Sequence, residues 1–148
     1  MPEDLRRRPA HSPNLGDEMA TLSAIGIVTK DMNESVRFYR LLGVDVPDPS
    51  GDHLDVTLPS GVTLMWDTLE LIKQLDPDWT EPAGHRMGLA FQCSSPGDVD
   101  ATHARVVAAG FRSKKEPWDA FWGQRYAQVI DPDDNAVDLF APLPNPTA

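Results

Sequence analysis

Two carboxylates in strand-like stretches are the residues of this sequence best suited to proton chemistry: Asp67, closing residues 62–67, and Asp138, within residues 136–140. Either can act as a general base if burial raises its pKa toward neutrality, with Arg125 as an electrostatic clamp on a developing oxyanion. No Ser, Cys or Thr pairs with a His in a pattern that would make an activated nucleophile. Cys93, the single cysteine, sits in the apolar run 89–93 and reads as a buried, inert thiol. The four His residues show no ligand spacing such as His-x-x-x-His. His11 falls in an N-terminal arm, His53 starts a strand, His85 lies in a loop, and His103 is on the outer or packing side of a helix.

Residues 116–126 hold the densest aromatic chemistry. Trp118, Phe121, Trp122 and Tyr126 are four aromatics within nine positions, interleaved with Asp119, Gln124 and Arg125. Read as a loop between two strands, the segment makes either a rigid apolar wall that stacks on a planar ligand or a minicore that pins the loop. Trp66, Phe38 and Tyr39 read as core and helix-packing residues.

The elements that must position these side chains follow from periodicity. Residues 1–20 mix Pro, Arg, Asp and Asn without apolar periodicity and read as a flexible arm. Residues 22–29 read as a strand, and Asp31 or Asn33 as the cap of a helix that Gly43 ends. Strands are expected at 44–46, 53–58 and 62–67, the last two joined by a hairpin turn at Pro59-Ser60-Gly61. A short helix at 69–75 and a Pro, Asp and Gly-rich linker follow. The pattern then repeats: strand 87–93, a helix begun by Ser94-Ser95-Pro96 and closed by Gly110, then strands 111–115, 124–130 and 136–140. The expected fold is α+β, one domain over residues 21–143. Its two β-α-β-β-β modules occupy about 21–68 and 86–143, with a linker of about 69–85.

On the cavity side of the first strand of each module, alternation places Ala24, Gly26 and Val28, then Gly88, Ala90 and Gln92. These small residues either leave room for a ligand or let the modules pack closely. Met65 joins Asp67 on the cavity face of its strand, and Phe140 joins Asp138.

Composition bounds the partners. A net charge of −10 and 13 scattered Lys and Arg residues argue against nucleic acid. No apolar stretch approaches the length of a membrane span or a signal peptide, and a lone Cys disfavours the disulfide-rich secreted class. The expected location is cytoplasmic.

Asp31-Met32-Asn33-Glu34-Ser35-Val36-Arg37-Phe38-Tyr39 with Leu42-Gly43, and the closing run from Asp131 to Phe140, resemble the vicinal oxygen chelate superfamily. That superfamily includes glyoxalase I, extradiol dioxygenases and bleomycin resistance proteins. The resemblance implies a cup-shaped mixed sheet and a homodimer. It also implies where metal-using members carry their ligands, and those positions here hold Ala24, Met65, Gly88 and Asp138. One carboxylate cannot replace three or four ligands, so neither a metal nor another cofactor is expected. The expected function is metal-independent binding of an aromatic or hydrophobic compound, such as an antibiotic or other natural product. Met65, Asp67, Gln92, Trp118, Phe121, Trp122, Gln124, Arg125 and Asp138 would line the site. The alternatives are a lyase, isomerase or dioxygenase acting on a small oxygenated substrate, and a regulatory module with a vestigial cavity.

Overall fold

The structure, a computed structural model, describes residues 19–145. Most of the arm expected at 1–20, His11 included, lies outside the described residues. Seven strands and three helices follow one another in two similar series. The first runs β1 (Ala24–Thr29), α1 (Met32–Leu41), β2 (His53–Thr57) and β3 (Thr63–Thr68), with α2 (Leu69–Leu75) after it. The second runs β4 (Leu89–Gln92), α3 (Pro96–Ala108), β5 (Arg112–Ala120), β6 (Gln124–Ile130) and β7 (Ala136–Pro142).

The two sheets have strand orders β1-β3-β2 and β4-β7-β6-β5. In each, the first strand runs parallel to the last and the others are antiparallel, so the second sheet repeats the first with one strand added. The strand expected at 44–46 is that missing fourth strand. Val44 and Val46 are buried as a strand would be, but their backbone is engaged elsewhere. Val44 donates its N–H to the Tyr39 carbonyl at 3.2 Å, and the Arg40 guanidinium binds the Val46 carbonyl at 2.8 Å and 3.1 Å.

Helix starts follow local chemistry. Asp31 caps α1 by accepting from the Glu34 N–H at 3.1 Å. At α3, Ser95 accepts from the Asp98 N–H at 3.0 Å while the Asp98 carboxylate reaches back to the Ser94 N–H at 3.1 Å, with Pro96 in the first turn. Gly43 and Gly110 follow their helices with φ of 97°, a conformation costly for a residue with a Cβ.

One core joins both series. Ile27, Leu64 and Trp66 of the first sheet, Phe38 and Tyr39 of α1, Val99 and Val106 of α3, and Ala127, Val129, Val137 and Leu139 of the second sheet form a single buried cluster. The link between the halves is also polar. Tyr39 and Asp131, both buried, share a hydrogen bond of 2.7 Å, and Asp131 also accepts from the Asp133 N–H, the Asn135 N–H and the Asn135 side-chain amide, each at 2.8 Å. Burial is the main reason that the Tyr39 hydroxyl is pushed well above its ordinary pKa, with Asp131 adding to it. No helix among the described residues is long and apolar enough to cross a membrane.

Candidate functional site

Alternation along each strand sends the core residues to one face and leaves the other face uncovered by α1 and α3. On the first sheet that open face carries Ala24, Gly26 and Val28 beside Thr63, Met65 and Asp67, which in turn oppose Thr57, Asp55 and His53. On the second sheet it forms two rows across the strands. One row is Ala90, Asp138, Gln128 and Lys115, and the other is Gln92, Phe140, Tyr126 and Trp118.

The second face gathers most of the residues expected from the sequence. Asp138 accepts from the Gln128 amide at 2.8 Å. The Tyr126 phenol is pushed up to about 12, by burial first and then by Asp138. Trp122 stands edge-to-face against Trp118 at 5.6 Å and against Tyr126 at 5.3 Å, and donates its indole N–H to Gln124 at 2.8 Å. Phe121, 91% exposed at the hairpin tip, packs on Trp122, itself 48% exposed. Lys115 places its ammonium 4.9 Å above the Trp118 ring, and the Trp118 N–H is shielded from solvent without a partner.

The segment expected as a loop is thus largely strand. β5 continues through Pro117 and Trp118 to Ala120, so the true tip is only residues 121–123. Pro117 is tolerated because β5 is the outer strand of its sheet and the register shifts between Lys115 and Trp118.

Arg125 is not brought to Asp138. Its side chain leaves by the other face, where it pairs with Asp100 of α3 at 2.9 Å and with Asp119 at 3.1 Å. It fastens the helix to the hairpin. Met65 and Asp67 belong to the first sheet, and among the described residues no hydrogen bond or ion pair joins the two open faces.

The first face holds a titratable group, His53, expected from the sequence only as the first residue of a strand. His53 Nδ1 lies 2.6 Å from Asp67 and Nε2 lies 3.0 Å from Asp55. These hydrogen bonds, Asp67's first, raise the imidazole pKa above its ordinary value. The pairing was available from the hairpin: a turn at residues 58–62 that aligns Thr57 with Thr63 also aligns His53 with Asp67. Gln128 was likewise implied by alternation from Gln124 and Tyr126.

Of the other nucleophilic or ligating groups, Cys93 is half-buried and burial pushes its thiol up. His103 is buried under Ser113 and Glu116 at 2.8 Å and 3.1 Å. Among the described residues no three His, Cys, Asp or Glu side chains converge where a metal ion could be held. At the positions where the resemblance would place metal ligands, Met65 packs toward Gly26, Ala24 and Gly88 offer no donor side chain, and Asp138 accepts from the Gln128 amide. These residues do not fit a catalytic metal.

A β-α-β-β series followed by a β-α-β-β-β series, each pairing its first strand parallel to its last and each with an open sheet face, defines a two-module α+β class. A family model described as the Glyoxalase/Bleomycin resistance protein/Dioxygenase superfamily matches residues 21–139. The chain belongs to that superfamily. Solved structures agree in fold. A glyoxalase/bleomycin resistance protein/dioxygenase family enzyme from Burkholderia phytofirmans PsJN is 21% identical, with a TM-score of 0.74 over 84% of this chain and 100% of that one. A glyoxalase/bleomycin resistance protein/dioxygenase from Nocardioides is 25% identical, with a TM-score of 0.67 over 99% of each chain. A glyoxalase-related enzyme from Fulvimarina pelagi is 21% identical, with a TM-score of 0.72 over 83% of this chain and 88% of that one. No curated protein matches the chain in sequence.

Proposed function

We propose that this protein binds a small aromatic or hydrophobic organic molecule without a metal, against the open face of its second sheet. The observation that carries the reading is the row Gln92, Phe140, Tyr126 and Trp118, overhung by Trp122 and flanked by Asp138. Large rings held edge-to-face give a rigid apolar wall at low conformational cost. Gln92, Gln124 and Asp138 supply the few polar groups that would orient a ligand. Antibiotics and other planar natural products fit such a wall.

Two copies of the chain are proposed to associate, each open face being closed by its partner. The exposed Phe121 supports this, since a ring 91% exposed at a hairpin tip gains from being covered. Sedimentation velocity is expected to give a dimer that Phe121→Asp shifts toward monomer.

The test of binding is a compound screen followed by tryptophan fluorescence in excess chelator. Hits are expected to be saturable, and Trp122→Ala is expected to weaken them about tenfold or more. Hits that vanish with chelator, or that ignore Trp122→Ala and Trp118→Ala alike, would overturn the reading.

A second reading is favoured by His53. An imidazole oriented by a carboxylate at 2.6 Å is the arrangement of an acid–base catalyst, and a lyase or isomerase acting on a small oxygenated substrate could use it. Turnover lost in Asp67→Asn, with ligand binding kept, would establish this reading in place of simple binding.

A further inference from the structure

The open face of the second sheet is short of acceptors at its β5 end. Lys115 is exposed and holds its ammonium 4.9 Å above the Trp118 ring, and the Trp118 indole N–H is shielded from solvent without an acceptor. The carboxylates that neighbour Lys115 in the chain or in the sheet are engaged elsewhere. Glu116 turns to the helix side, where it accepts from the Ser113 hydroxyl at 2.8 Å and lies 3.1 Å from His103 of α3. Asp119 pairs with Arg125 at 3.1 Å on that same side, and Asp134 pairs with Arg112. Asp138 shares the row of Lys115 but stands two strands away, beyond Gln128, whose amide it accepts at 2.8 Å. Among the described residues, no carboxylate pairs with Lys115.

An ammonium resting on a ring has found a π system in place of a counter-charge. A planar ligand stacked on the aromatic wall competes with it for Trp118. A neutral ligand returns the ammonium to water, and a cationic one is repelled by it. An anion supplies the acceptor and the charge that this end of the face lacks.

We propose that the molecule bound on this face is a planar aromatic carboxylate, its ring against Trp118 and Trp122 and its carboxylate on Lys115. The preference rests on the aromatic wall proposed above and adds a charge to its ligand. Asp138 sets the direction, since it repels a carboxylate placed at the other end of the row and so turns the acid group toward β5. The net charge of −10 does not forbid an anion. At physiological ionic strength, charges more than about 8 Å away are largely screened, and the local ammonium decides.

The probes are 2-naphthoate and 2-naphthamide, of nearly the same shape and differing at neutral pH by one negative charge, each titrated into the ¹⁵N-labelled full chain. Saturable shifts of the Trp118 and Trp122 indole N–H signals are expected with both. The carboxylate should bind about fivefold more tightly, the scale of one partly exposed charge contact. Lys115→Gln should bring the two probes level, and Lys115→Arg, which keeps the charge, should keep the preference. Equal affinities in the native protein, with Trp122→Ala weakening both probes, would overturn the carboxylate and leave the aromatic wall in place. A preference that survives Lys115→Gln would overturn the assignment to Lys115. Titrations with no saturable shift for either probe would remove the wall and the carboxylate together.

Discussion

His53 is held between Asp67 and Asp55, and the consequence is a charge that persists to higher pH than on a free imidazole. Its pKa is raised in the folded protein, so its contribution to stability is fully present below the unfolded value and is lost as pH rises through the folded one. Titration of the His53 ring protons by NMR is expected to give a midpoint above ~6.5, and Asp67→Asn to move it down toward that value. A midpoint at the unperturbed value in the native protein would mean the pairing is absent. Tyr126 tests the second face in the same way. Its midpoint of about 12 in ultraviolet titration should fall toward ~10 in Asp138→Asn, incompletely, because burial is the larger cause. At this scale the sequence was informative wherever alternation alone decides. Asp138, Gln92 and Gln124 share one face because strand side chains have a period of two, whereas Trp118, expected in a loop, joins them only because β5 runs on to Ala120. Arg125 was misleading because its charge fits a clamp, and only the spatial nearness of Asp100, 25 residues away in the chain, shows where it is spent.

Among the elements, the β6–β7 turn is the most consequential. One buried carboxylate, Asp131, satisfies donors from its own turn and from Tyr39 of the other module. Asp131→Ala would leave four donors without their acceptor, and a loss of about 3 kcal/mol is expected in urea unfolding. Tyr39→Phe should cost about 1 kcal/mol, since it removes one bond and leaves the turn intact. Equal losses in the two variants would show that the turn is not organised by Asp131. The run from Asp131 to Asn135 was legible as a hairpin turn. Its role as a bridge was not, because a sequence does not state which helix will lie above a turn. The strand expected at 44–46 failed for a related reason: apolar alternation reports burial, whereas a strand also needs a free neighbouring edge. Pro117 misled in the opposite direction, since an outer strand accommodates proline where an inner one would not.

At the scale of the whole molecule, the repeat of strand, helix, glycine and strands was visible in the chain and reappears as two sheets of related order. What the repeat could not show is that the second sheet alone carries a fourth strand, and with it the aromatic hairpin. The central claim is that the two modules serve binding without a metal, and elemental analysis tests it most directly. The purified protein should be measured as isolated, and again after incubation with Ni, Zn, Mn and Fe(II) followed by desalting. The account predicts near-zero occupancy in every case, unchanged in Asp138→Ala; stoichiometric metal that Asp138→Ala abolishes would contradict it.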